Sequence, residues 1–213
     1  MPFTFNGVGG TWGLGGALTI GSSRLMTLTN GTLDLNGYTV SVGTFATGAG
    51  TKNITFDGGT LTVVGSGATA FNNAAPTNFS TTAGTGTGTI SMTSASAKTF
   101  VGGGSTYRAK LNQGGAGALT VTGSNTLDDI TNSYSTTGAT TITFTAGTTQ
   151  TLSTNFTATG SSGNVLTLNS SSAGSAATLS LASGTVSTVD YLSIRDSTAT
   201  GGATWYAGTN STN

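Results

Sequence analysis

At 213 residues, with six basic and six acidic side chains, the chain has the length of one domain and a formal net charge of zero. All six acids are Asp, and His, Cys and Glu are absent, which removes disulfide staples, His-based triads and the ligands that zinc and copper prefer. Six scattered Lys and Arg supply no patch for a nucleic-acid backbone, and no apolar run is long enough to span a bilayer.

The first residues, Met1-Pro2-Phe3-Thr4-Phe5, show neither the basic region nor the continuous apolar stretch of a signal peptide. That fits export by another route, assembly inside a host cell followed by lysis, or a processed fragment. Residues 1–24 read as a lead-in and cap segment. From Leu18 the apolar pairs Leu18/Ile20, Met26/Leu28, Leu33/Leu35 and Val40/Val42 follow at intervals of about seven or eight residues, with Asn30-Gly31 and Asn36-Gly37 as corners. They read as successive faces of one coil.

A short inward–outward–inward pattern then recurs: Leu33-Asp34-Leu35, Leu61-Thr62-Val63, Ile90-Ser91-Met92, Leu119-Thr120-Val121, Ile142-Thr143-Phe144, Leu166-Thr167-Leu168 and Leu192-Ser193-Ile194. Copies lie about 23–29 residues apart, within the range of solenoid repeats. Between them a second apolar series (Phe100, Leu111, Leu127, Ile130, Leu152, Phe156, Leu179, Leu181) supplies the other faces. Segment 65–88, with Pro76 and the run Thr85-Gly86-Thr87-Gly88, is expected to protrude as a loop, and 197–213 is a terminal segment. No stretch sustains a 3.6-residue period. The expectation is an all-β chain, residues 1–213 forming one single-stranded parallel β-solenoid of about seven coils, right-handed because parallel crossovers are.

Candidate chemistry is sparse. Asp128-Asp129, and Asp190 with Asp196 across Arg195, are the acids a polysaccharide-cleaving β-helix would use, since glycoside hydrolysis needs two carboxyls across one bond. Neighbours in a strand point to opposite faces, however, and Asp is a natural corner residue. The tandem calcium nonapeptide of β-rolls is missing, and Asp57-Gly58-Gly59 reads as a turn. Gly9-Gly10 and Gly102-Gly103-Gly104 lack the Gly-Lys-Ser/Thr of a phosphate loop. No cofactor, metal site or catalytic residue is expected. Trp12 near one end and Trp205-Tyr206 near the other read first as caps over the ends of the solenoid and second as sugar-binding faces. The outward row Thr62, Ser91, Thr120, Thr143, Thr167, Ser193 is too irregular for an ice-binding surface. Six Asn-x-Ser/Thr triplets, at Asn30, Asn53, Asn78, Asn155, Asn169 and Asn210, are what this composition produces by chance.

The strings Leu28-Thr29-Asn30-Gly31-Thr32-Leu33-Asp34-Leu35-Asn36-Gly37-Tyr38 and Tyr191 through Gly208, with Arg195-Asp196-Ser197 and Thr204-Trp205-Tyr206 inside it, resemble the Gly/Thr/Ser-rich β-helix proteins of aquatic bacteriophages and bacteria that are described as fibre-like or adhesin-like. The resemblance implies a non-enzymatic fibre or filament subunit, extracellular or on a virion surface, and it brings no catalytic residues. Such proteins continue past the equivalent of Asn210, whereas this chain stops at Asn213, which would leave one end open to stack on another copy. The expected partners are the chain itself and cell-surface glycans. The alternatives are a carbohydrate-binding module using Trp12, Trp205 or Tyr206, and a polysaccharide-degrading enzyme using Asp.

Overall fold

Most strands are four or five residues long, and many give way to Gly, Asn or Asp in a corner. A chain built this way must keep turning, and when most inward positions are apolar it turns around its own core. The computed structural model describes residues 2–213 and is a parallel β-solenoid of about 9 turns. Every named strand pair is parallel. At one strand spacing per turn the rod is about 40 Å long.

Three walls enclose the core. The first stacks residues 18–20 and 39–42, then Thr60–Val63, Gly88–Met92, Ala109–Gln113 and Asp129–Asn132. The second is the longest and runs without interruption. It stacks residues 3–5, 25–28, 44–47 and 71–72, then Lys98–Val101, Leu119–Thr122, Thr140–Phe144, Leu166–Ser170 and Leu192–Arg195. The third stacks residues 11–13 and 31–34, then Lys52–Thr55 and Phe79–Thr82; it resumes with Thr126–Leu127, Thr149–Leu152, Ala177–Leu181 and Ser197–Thr200.

Inward side chains form rows along the axis. Phe45, Phe71 and Phe100 stack on the second wall with ring centroids 5.1 and 4.5 Å apart. Buried Leu, Ile and Val continue the rows on either side. The corner between the third and first walls uses one device twice. Asn36-Gly37 and Asp57-Gly58 both hold positive φ at their two central positions, and Tyr38 N–H and Gly59 N–H close the turns onto Leu35 and Phe56. Asn-Gly and Asp-Gly are the pairs that take this conformation most readily.

Three of the N-terminal pairs are faces of one coil, Leu18/Ile20 on the first wall, Met26/Leu28 on the second and Leu33/Leu35 on the third, whereas Val40/Val42 opens the next coil, with Val40 beside Leu18. The recurring triplets do not share one row. Leu33 is on the third wall, Leu61 and Ile90 are on the first, and Leu119, Ile142, Leu166 and Leu192 are on the second. The outward hydroxyls divide likewise, Thr62 and Ser91 leading to Asn112 on one wall, Thr120 and Thr143 to Asn169 on another. All walls use the same alternation, so the triplet marks a strand without marking its wall.

Segment 65–88 is a full turn of the solenoid and not a protruding loop. Gly67–Asn72 and Phe79–Thr82 pair with strands of the coil before, and Phe71 is fully buried. Gly, Thr and Ala hide the alternation there, and Pro76 occupies a turn whose carbonyl receives Phe79 N–H. Residues 3–13 form the first coil, while 197–200, 204–205 and the bridge from Thr212 to Ser193 form the last.

Candidate functional site

The acids are placed by corners. Asp34 accepts Asn36 N–H and Asp57 accepts Thr85 N–H across to the next coil. Asp190 gathers the N–H groups of Tyr191 and Asn210 and the Asn210 amide, and these hydrogen bonds hold its carboxyl below the usual range. Asp196 has positive φ and lies 3.5 Å from Arg195. Asp128 and Asp129 are both buried. Asp129 accepts from the N–H and hydroxyl of Thr157, yet burial dominates and raises its pKa. Burial also raises that of Asp128, against the opposing charges of Arg108 and Lys110, and among the described residues its Oδ1 has no hydrogen-bond partner. The two pairs suggested by the sequence lie on different coils, and within each pair the carboxyls serve separate parts of the fold.

Two lysines are inside the rod. Lys52 donates to Thr77 O at 2.7 Å, and Lys98 to Ser94 O at 3.1 Å and to Gly117 O. Both are buried, and desolvation lowers both pKa values, that of Lys98 to about 8. Lys98 is in phase with Phe100 and Lys52 with Ile54, so period-two alternation alone places them inward. Nearby polar side chains bind backbone at the corners. Asn125 donates to Gln150 Oε1 at 2.9 Å, and Gln150 to Gly123 O at 2.8 Å. Asn73 donates to the Tyr107 hydroxyl at 2.9 Å, and Tyr107 donates to Gly102 O at 2.8 Å. Tyr107 is fully buried and its pKa is raised by desolvation.

The aromatics Trp12, Trp205 and Tyr206 occupy opposite ends and are not brought together. Trp12, half-buried in the first coil, packs on Phe5 at 4.9 Å and against the core. Trp205, in the last coil, packs against the core 6.1 Å from Phe156, and its indole N–H reaches Thr200 O. Tyr206 beside it is 58% exposed. Phe156, Leu168, Leu179, Ile194, Trp205 and Tyr206 line a cavity of about 240 Å³ at this end, the mouth of the apolar core. The strands Ser197–Thr200 and Thr204–Trp205 have a parallel neighbour on one side only, as does Phe3–Gly13 at the other end. Each end thus combines a strand edge with aromatic side chains set over or beside the core.

No family model, no curated protein and no solved structure matches the chain.

Proposed function

We propose that the chain is a non-enzymatic structural and adhesive protein of a virion or cell surface, a fibre subunit that stacks end to end. The observation that carries this reading is the last coil, where one-sided strands surround an apolar mouth. A surface that offers both backbone hydrogen bonds and apolar area is matched by another coil of the same kind, and the first coil offers a free edge with Phe3 and Trp12. Such a contact is head to tail, does not close, and gives a filament. Zero net charge leaves little repulsion to oppose it. The use of the Asp34, Asp57 and Asp190 carboxyls as hydrogen-bond acceptors at corners supports the non-enzymatic part.

Electron microscopy of the purified protein at high concentration tests the reading. Uniform fibres with an axial spacing near one strand separation are expected, and Ala199→Lys, which puts a charge on the edge and in the mouth, should leave single rods. Monomers by light scattering at every concentration reached would overturn it. A second reading rests on Tyr206, an exposed ring at the rim of a cavity: a carbohydrate-binding end, for which a glycan screen should give a ligand that Tyr206→Ala loses.

A further inference from the structure

The third wall is interrupted in its middle. Phe79–Thr82 pairs with Lys52–Thr55 before it, but no strand pairing joins it to the next coil. The connection runs through one side chain: Thr81 Oγ1 donates to Thr106 O at 3.2 Å and accepts Arg108 N–H at 2.7 Å. The cause lies beneath. Tyr107 meets Phe79, Phe100 and Phe71 at ring distances of 5.6, 5.1 and 5.9 Å, all tilted or edge-on, so its ring does not join the Phe71–Phe100 stack and is not in step with one strand spacing.

The interruption opens a groove of about 570 Å³ on the outside of the rod, lined among others by Pro76, Phe79, Ser80, Ser105, Thr106 and Arg108. Its base is rigid, because Tyr107 under Phe79 is buried and tied by Asn73 and Gly102. Its walls are hydroxyls, glycines and the face of a proline, with no acid among them. Arg108 is exposed, and among the described residues its guanidinium makes no hydrogen bond or ion pair; the buried Asp128 acts on it only through space. The other basic residues are differently placed. Lys52 and Lys98 are buried on carbonyls, Arg195 lies against Asp196, Arg24 is engaged elsewhere, and Lys110 belongs to the first wall.

We propose that this groove is a binding site for a carboxylated saccharide. Arg108 would take the carboxylate through its fork of N–H donors, the Ser80 and Thr106 hydroxyls would meet sugar hydroxyls, and Phe79 and Pro76 would lie under the apolar face of the ring. A neutral protein with one unpaired guanidinium in a hydroxyl-lined groove reads charge at one point and polyhydroxyl character around it. The site goes beyond the proposed stacking and does not depend on it, since it lies on the side of the rod, away from both ends.

The test is calorimetric titration of the full chain, kept monomeric by dilution, with trigalacturonate and with its uncharged methyl ester. Trigalacturonate should bind with a weak, salt-sensitive affinity, and the ester at least tenfold more weakly. Arg108→Gln should cost roughly tenfold or more, as the loss of a charged hydrogen bond does, while Lys110→Gln should leave binding unchanged. Ser80→Tyr, an exposed change that fills the groove, should abolish binding with the circular dichroism spectrum intact. Equal binding of acid and ester, no binding of either at millimolar concentration, or binding indifferent to Arg108→Gln would each overturn the assignment. Loss of binding in Tyr206→Ala with Arg108→Gln neutral would place the sugar at the end of the rod instead.

Discussion

Single residues in this fold are constrained by the coil above and the coil below more than by their sequence neighbours. Gly88 shows this: a Cβ built there would lie 2.2 Å from Cγ of Phe56, a fully buried ring in the preceding coil. Gly88→Ala should therefore destabilise by about 1–3 kcal/mol, the usual cost of overpacking, as read from denaturant midpoints. Gly147, with φ +72 and open space around it, should lose only the roughly 1–2 kcal/mol of a left-handed backbone when changed to Ala. Lys98 gives a pH signature. Its folded pKa is near 8 against an ordinary lysine value of 10.5, so between these limits the unfolded chain binds the extra proton and stability rises with pH. Lys52 shifts in the same direction, while Tyr107, whose pKa is raised, reverses the trend once free tyrosine ionises near pH 10. A melting temperature that climbs from pH 7.5 to pH 9.5, with a shallower climb in Lys98→Met, is the expected result; a flat wild-type profile would contradict the placement of Lys98.

Elements carry the lesson about what a sequence of this kind makes legible. Alternation located the strands, and Asn36-Gly37 and Asp57-Gly58 marked corners, because both signals are local and have a backbone cause. Wall assignment was not legible: Leu33, Leu61 and Leu119 carry one pattern on three walls, so counting the pattern as one row gave about seven coils where there are about 9. The groove around Arg108 was invisible for a similar reason, since it comes from four rings scattered between positions 71 and 107 that meet only after coiling. Hydroxyl splices between coils were equally hidden. Thr81 has a counterpart in Thr159, whose Oγ1 donates to Asp190 O and accepts Asp190 N–H, both at 2.9 Å. Thr81→Val should cost about 0.5–1.5 kcal/mol, the net worth of a typical hydrogen bond, since the Arg108 N–H and the Thr106 carbonyl it releases are exposed and turn to water. Phe71→Ala, in the middle of the phenylalanine stack, should cost about 3–5 kcal/mol.

At the scale of the whole molecule, each turn touches only the turns next to it, so stability is close to a sum over neighbours. Amide exchange should accordingly be slowest around Phe71–Leu119 and faster toward both ends, with Asp190→Ala accelerating residues 208–213, whose backbone its carboxylate gathers. Uniform protection along the rod would contradict the neighbour-only picture. The unequal continuity of the walls has a mechanical consequence. The second wall is an unbroken hydrogen-bonded column from the first coil to the last, whereas the third is spliced at Thr81 by one threonine hydroxyl, and beyond Asp129–Asn132 the first is continued only by isolated bonds, Thr157 N–H to Ile130 O and Gly160 N–H and Thr159 Oγ1 to Asp190 O. The rod is a beam with one continuous flange and two notched ones. Under a bending load it should flex by opening the notches, with the second wall on the inside of the curve, and a molecule lodged in the notch beside Arg108 would act as a shim that stiffens it.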